Sequence, residues 1–67
     1  VMATKIHIGD VFYYDQDTDT YRADGSIKIT VTDIYLGDGD RVWYVVEVLA
    51  EGGPPFTDHY MRYMLPD

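Results

Sequence analysis

The chain is expected to be mainly β: a small, partly open antiparallel β-barrel of about five strands. Three observations predict this. Seven Val, five Ile, six Thr and ten aromatic residues outweigh three Leu and three Ala, the composition of a pleated sheet rather than a helical bundle. Apolar and polar residues alternate across residues 27–36 and 41–50, as in strands with one buried face. Turn-forming clusters fall at intervals that suit short strands, with no internal repeat, low-complexity tract or linker between them.

The first strand is expected over residues 6–14, with Gly9-Asp10 as a bend or bulge before Val11-Phe12-Tyr13-Tyr14. Residues 15–25 then read as a long polar loop, setting Asp15, Asp17, Asp19 and Asp24 against a single Arg22. Tyr21 is placed to pin that loop.

Residues 27–36 and 41–50 flank Gly37-Asp38-Gly39-Asp40, where Asp38-Gly39 suits a tight turn with positive φ at both central positions. Such a turn sets Tyr35 opposite Val42, Asp33 opposite Tyr44, Val31 opposite Val46, Ile29 opposite Val48 and Ile27 opposite Ala50, a nearly all-apolar face. The other face pairs Leu36 with Arg41, Ile34 with Trp43, Thr32 with Val45, Thr30 with Glu47 and Lys28 with Leu49, a mixed set. A slip of one residue would turn the apolar set outward, so alternation and turn select the same register. Asp33 is the misfit, because an unpaired carboxylate on the apolar face is costly. Either the strand bends there or a hydrogen bond satisfies it.

Glu51-Gly52-Gly53-Pro54-Pro55 breaks the second strand, since proline donates nothing to a ladder. In the tail, Phe56, Tyr60 and Met64 share a helical stripe, while residues 60–65 also fit a closing strand. One short helical turn over residues 57–60, followed by a short strand, is the expectation. Met2-Ala3-Thr4-Lys5 reads as a natural start after a leftover Val1. Residues 1–5 are accordingly expected to be a disordered remnant, and residues 6–67 a single domain.

A chain of 67 residues buries only about 60% of its unfolded surface, so a deep catalytic cavity would consume much of its core. The absence of cysteine excludes a disulfide-built scaffold and Cys-based zinc sites. No stretch approaches the roughly 18 to 20 apolar residues needed to span a bilayer, and a cytoplasmic location is expected. The net charge of −7 repels phosphate backbones, so direct nucleic-acid binding is not expected and encounter with basic surfaces is favoured.

The order of features is an aromatic strand ending in Tyr13-Tyr14-Asp15, an acidic loop, a long strand, a tight turn, a strand bearing Trp43, a Gly-rich turn, and Pro55-Phe56-Thr57-Asp58-His59-Tyr60. Across Val11 to Met64 this order resembles the Src-homology-three domain. Tyr13-Tyr14-Asp15 is similar to that family's aromatic-acidic opening, Trp43 to its ligand-facing tryptophan, and Pro55 with Tyr60 to the Pro and Tyr that line its groove. The sequence departs from the family in an incomplete opening motif, an extra residue between Asp58 and Tyr60, and a longer tail. The resemblance implies a non-catalytic module in which Tyr13 or Tyr14, Trp43, Pro55 and Tyr60 wall a groove for a proline-rich segment. Asp17 and Asp19 would then attract a flanking Arg or Lys. The same aromatics equally suit a core, because a domain this small fills its interior with its large side chains.

Other chemistry has less support. Tyr and Asp would suit an aromatic cage for a methylated lysine, but nothing in the spacing selects one. Asp15, Asp17 and Asp19 alternate as in a calcium loop, yet Thr20 stands where glycine is needed and Ser26 where a bidentate glutamate is needed. His7 and His59 have no metal-ligand spacing, and Ser26, the only serine, lacks a nucleophile motif. No cofactor is expected, and the chain is read as a monomer or small homo-oligomer. Two further functions fit the charge and the strands. One is an acidic decoy from a phage or plasmid that presents carboxylates to a basic channel of a host defence protein. The other is a structural subunit whose edge strands pair into an assembly.

Overall fold

A computed structural model describes residues 5–67. Five strands, β1 (Val11–Asp15), β2 (Thr20–Tyr21), β3 (Ile27–Leu36), β4 (Val42–Leu49) and β5 (Phe56–Tyr60), form one antiparallel sheet in the order β2-β1-β3-β4-β5. The sheet does not close, so β2 and β5 are its two edges. The mainly β, partly open architecture agrees with the sequence expectation. The expected remnant over residues 1–5 lies, Lys5 apart, outside the described residues.

Ile29, Val31, Val46 and Val48 project from β3 and β4 onto one face and are buried there. Ile6 and Leu65, from the segments flanking the sheet, are buried against them and cover that face. Phe12, Tyr14, Tyr21, Ile27, Ile34, Tyr44 and Tyr60 complete the cluster as partly buried residues. This core face lines the concave side of the molecule, which is only 19 Å thick in its shortest dimension.

β3 and β4 hold the expected register over Lys28↔Leu49, Ile29↔Val48, Thr30↔Glu47 and Val31↔Val46. Beyond Val31 it moves by one residue, to Asp33↔Val45, Ile34↔Tyr44, Tyr35↔Trp43 and Leu36↔Val42, with Thr32 as the extra residue of a bulge. The expected pairs of Tyr35 with Val42 and Asp33 with Tyr44 are thus corrected. The bulge turns Asp33 and Tyr35 away from the core and puts Ile34 on it. Desolvation of a carboxylate supplies the physical reason. Asp33 is exposed instead, and its Oδ1 accepts the Ile34 N–H at 2.9 Å.

The turn is also one residue longer than expected. A 3-10 turn over Asp38–Asp40 replaces the two-residue turn, Gly37 N–H donates to the Arg41 carbonyl at 2.7 Å, and Gly39 and Asp40 take φ of 70° and 59°. Asp at positive φ is tolerated because its short polar side chain suits the left-handed region.

Three further boundaries differ. The first strand starts at Val11, not residue 6: a turn at His7–Asp10 and Gly9 at φ 96° swing Ile6 over the core. The polar loop contains β2, whose Tyr21 pairs with Tyr14. In the tail the expected order is reversed, with strand β5 first and a 3-10 turn over Arg62–Met64 after it. The open edge of β4 offers five consecutive ladder partners to Phe56–Tyr60, which an isolated helical turn could not match.

Candidate functional site

The concave face is not covered evenly. Ile6 and Leu65 seal its middle, and beside them a hollow of about 290 Å³ opens between Tyr14, Asp19, Tyr21, Ile29, Tyr60 and Met64. It adjoins a second, of about 470 Å³, lined by Tyr14, Gln16, Ile27, Ile29, Val48, Ala50, Phe56 and Tyr60. The two share Tyr14, Ile29 and Tyr60, and together form a groove floored by buried Ile29 and walled by three phenols, Tyr14, Tyr21 and Tyr60.

Local structure builds each wall. Strand alternation puts Tyr14 on the concave face and Tyr13 on the other. Gly25 holds the acidic loop against β1, since a Cβ there would stand 2.5 Å from the Tyr14 carbonyl carbon. Asp15 Oδ1 accepts the Asp17 N–H at 2.9 Å, an Asx turn that starts the loop's reversal, and Asp19 at φ 55° continues it. The loop then returns as β2, and Tyr21 donates its hydroxyl proton to the Met64 carbonyl at 2.5 Å, tying loop to tail. Edge-on contacts of Tyr21 with Tyr14 and Phe12, at centroid distances of 5.3 and 6.2 Å, fix its ring.

Burial, and then the neighbouring Tyr60, push the Tyr21 phenol up to about 12. Burial, and then Asp58, raise that of Tyr60. Both stay neutral near pH 7 and present hydroxyls beside apolar ring faces. Asp19 is exposed at the rim.

Of the residues singled out from sequence, the groove brings together Tyr14, Asp19 and Tyr60. Asp17 stays in the exposed acidic loop, and Pro55 is exposed just before β5. Tyr13 lies on the convex face opposite Lys28. Trp43 shares that face but sits near the other end of β4, paired with Tyr35 and laid over Gly37 in a hollow with Asp38 and Arg41. Of the expected wall of Tyr13 or Tyr14 with Trp43, Pro55 and Tyr60, only Tyr14 and Tyr60 line one hollow, and Trp43 lies on the opposite face. Sequence reasoning missed Ile29, Phe56 and Met64 as lining residues; the period-two spacing of Phe56, Asp58 and Tyr60 was the signal for the first and last of that trio facing one way.

On the convex face the Tyr35 hydroxyl and His59 Nδ1 are hydrogen-bonded at 2.9 Å. Among the described residues no three His, Asp or Glu side chains converge as a metal site, and no helix is long and apolar enough to cross a membrane. No family model, curated protein or solved structure matches the chain.

Proposed function

We propose that the chain is a non-catalytic protein-binding module whose concave groove takes up a partner segment carrying a basic side chain next to proline or another apolar residue. The observation that carries this reading is the joint lining of one hollow by Tyr14, Ile29 and Tyr60 with Asp19 at its rim. Flat phenol faces suit the ridges of an extended proline-rich segment, and the buried floor rewards apolar contact. The net charge of −7 steers a basic segment toward the surface and repels an acidic one.

The test is an NMR titration with a proline-rich peptide bearing arginines at one end. Shifts should concentrate at Tyr14, Asp19, Ile29 and Tyr60, leave the Trp43 indole unmoved, and weaken with Tyr60→Ala. Shifts centred on Trp43 would instead favour the tryptophan-lined site implied by the family resemblance. Binding that ignores Tyr60→Ala but collapses with salt would support the acidic-decoy reading.

A further inference from the structure

We propose that β5 accepts an extended segment of the partner as an added strand, with an apolar-basic-apolar pattern on its concave side. This rests on the reading that the chain binds a basic segment, and specifies how.

β5 pairs on one side only, through five consecutive partners with β4 and no bulge. The ladder direction follows from two contacts. The Val45 carbonyl faces β3, where it accepts the Thr32 hydroxyl, and the His59 N–H bonds to its neighbour's Asp58 Oδ1 at 2.8 Å rather than to β4. In an antiparallel pair the bonded positions alternate, so Thr57 and His59 direct their main-chain groups away from the sheet. Natural edges are commonly blunted by Lys, Pro, a bulge or an inward-pointing charge; of these β5 carries only the charge, Asp58, which a basic residue on an added strand would neutralise. The other edge, β2, is only two residues long.

The side chains specify the occupant. Phe56, Asp58 and Tyr60 project onto the concave face, and Phe56 is 55% exposed. A neighbouring strand therefore meets an aromatic ring, a carboxylate and a phenol in succession. Apolar residues suit the outer two positions and Lys or Arg the middle one. A second copy of this chain, at −7, would bring Asp58 and its own acidic surface against the same edge, which charge disfavours. A basic ligand also draws the Asp58 carboxylate off the His59 N–H and frees that donor for the new ladder.

The probe is the blocked peptide Thr-Leu-Thr-Lys-Thr-Leu-Thr. It should bind, and slow exchange of the Thr57 amide by roughly tenfold or more. Its Lys→Asp version should not bind. Of two versions N-methylated at alternate residues, one should lose binding and the other keep it, because only one set of N–H groups faces β5. Absence of binding, equal binding by both N-methylated versions, or an unchanged Thr57 amide would overturn the proposal. So would Thr57 protection that rises with protein concentration in the free chain, the sign of self-pairing. If the arginine-bearing proline-rich peptide still shifts Tyr14 and Tyr60 while Thr57 is unaffected, the groove reading survives and only strand addition fails.

Discussion

The Thr32 hydroxyl donates to the Val45 carbonyl at 3.2 Å across the single break in the β3–β4 ladder. That contact sits at the residue which turns Asp33 outward and Ile34 inward. Removing Thr32 closes the ladder while leaving every other pair and every facing direction in place. The Thr32 deletion is therefore expected to remain folded, with a stability change within about 1 kcal/mol. Val31→Ala, one residue earlier at 1% exposure, should cost about 2 kcal/mol. Thermal unfolding followed by circular dichroism compares them. An unfolded Thr32 deletion would show that the bulge is needed for more than facing direction.

Two glycines make opposite demands. At Gly25 an added Cβ meets Tyr14 main-chain atoms at 2.5 to 2.6 Å, and backbone cannot yield cheaply. At Gly37 it meets the Trp43 indole at 2.7 and 2.8 Å, and a side chain can swing aside. Gly25→Ala should destabilise by about 2 kcal/mol or more and disturb the Tyr14 amide. Gly37→Ala should cost less and red-shift Trp43 emission. The reverse order of stabilities would contradict this account.

The Tyr21 phenol predicts a specific alkaline response. Its folded value is raised to about 12 from an ordinary 10.0, so its stabilising effect is complete below pH 10 and is lost as pH rises through 12. Tyr21→Phe removes the hydrogen bond to Met64 and should cost about 1 kcal/mol at pH 7. The gap between native chain and variant should then narrow between pH 10 and 12. Denaturant melts at both ends of that range measure it, and a constant gap would mean that the hydroxyl is not held as described.

Asp19 tests the electrostatic part of the groove. An exposed carboxylate at the rim contributes on the order of 0.2 to 1 kcal/mol to a basic ligand. Asp19→Asn should weaken the arginine-bearing peptide by up to about fivefold at low salt and by less at high salt. Calorimetry at two salt concentrations reads this directly. An undiminished affinity would remove Asp19 from the site.

Much of the fold was legible because composition and alternation report on whether a segment has one buried side. The pairs Ile29 with Val48 and Val31 with Val46 follow from that alternation, and they are the centre of the core. The turn at Asp38–Asp40 was placed correctly but read one residue short, because Asp38-Gly39 satisfies a two-residue turn on local grounds alone. The tail was ambiguous for a similar reason: Phe56, Tyr60 and Met64 carry a helical spacing that has no meaning until the open edge of β4 is present.

Sequence alone determined that this is a small, acidic, cysteine-free sheet with a greasy side formed by residues 27–50, since alternation and composition are properties of the chain itself. Tertiary structure decided which aromatics share a groove. Adjacent strand residues point to opposite faces, and the bulge at Thr32 reverses that assignment for the remainder of β3, Asp33 to Leu36. Sheet order then brings Tyr14 of β1 and Tyr60 of β5 together over Ile29 of β3, while Trp43 and Tyr13 lie on the far side; which strands share a hollow is set by pairing across the sheet, not by spacing along the chain.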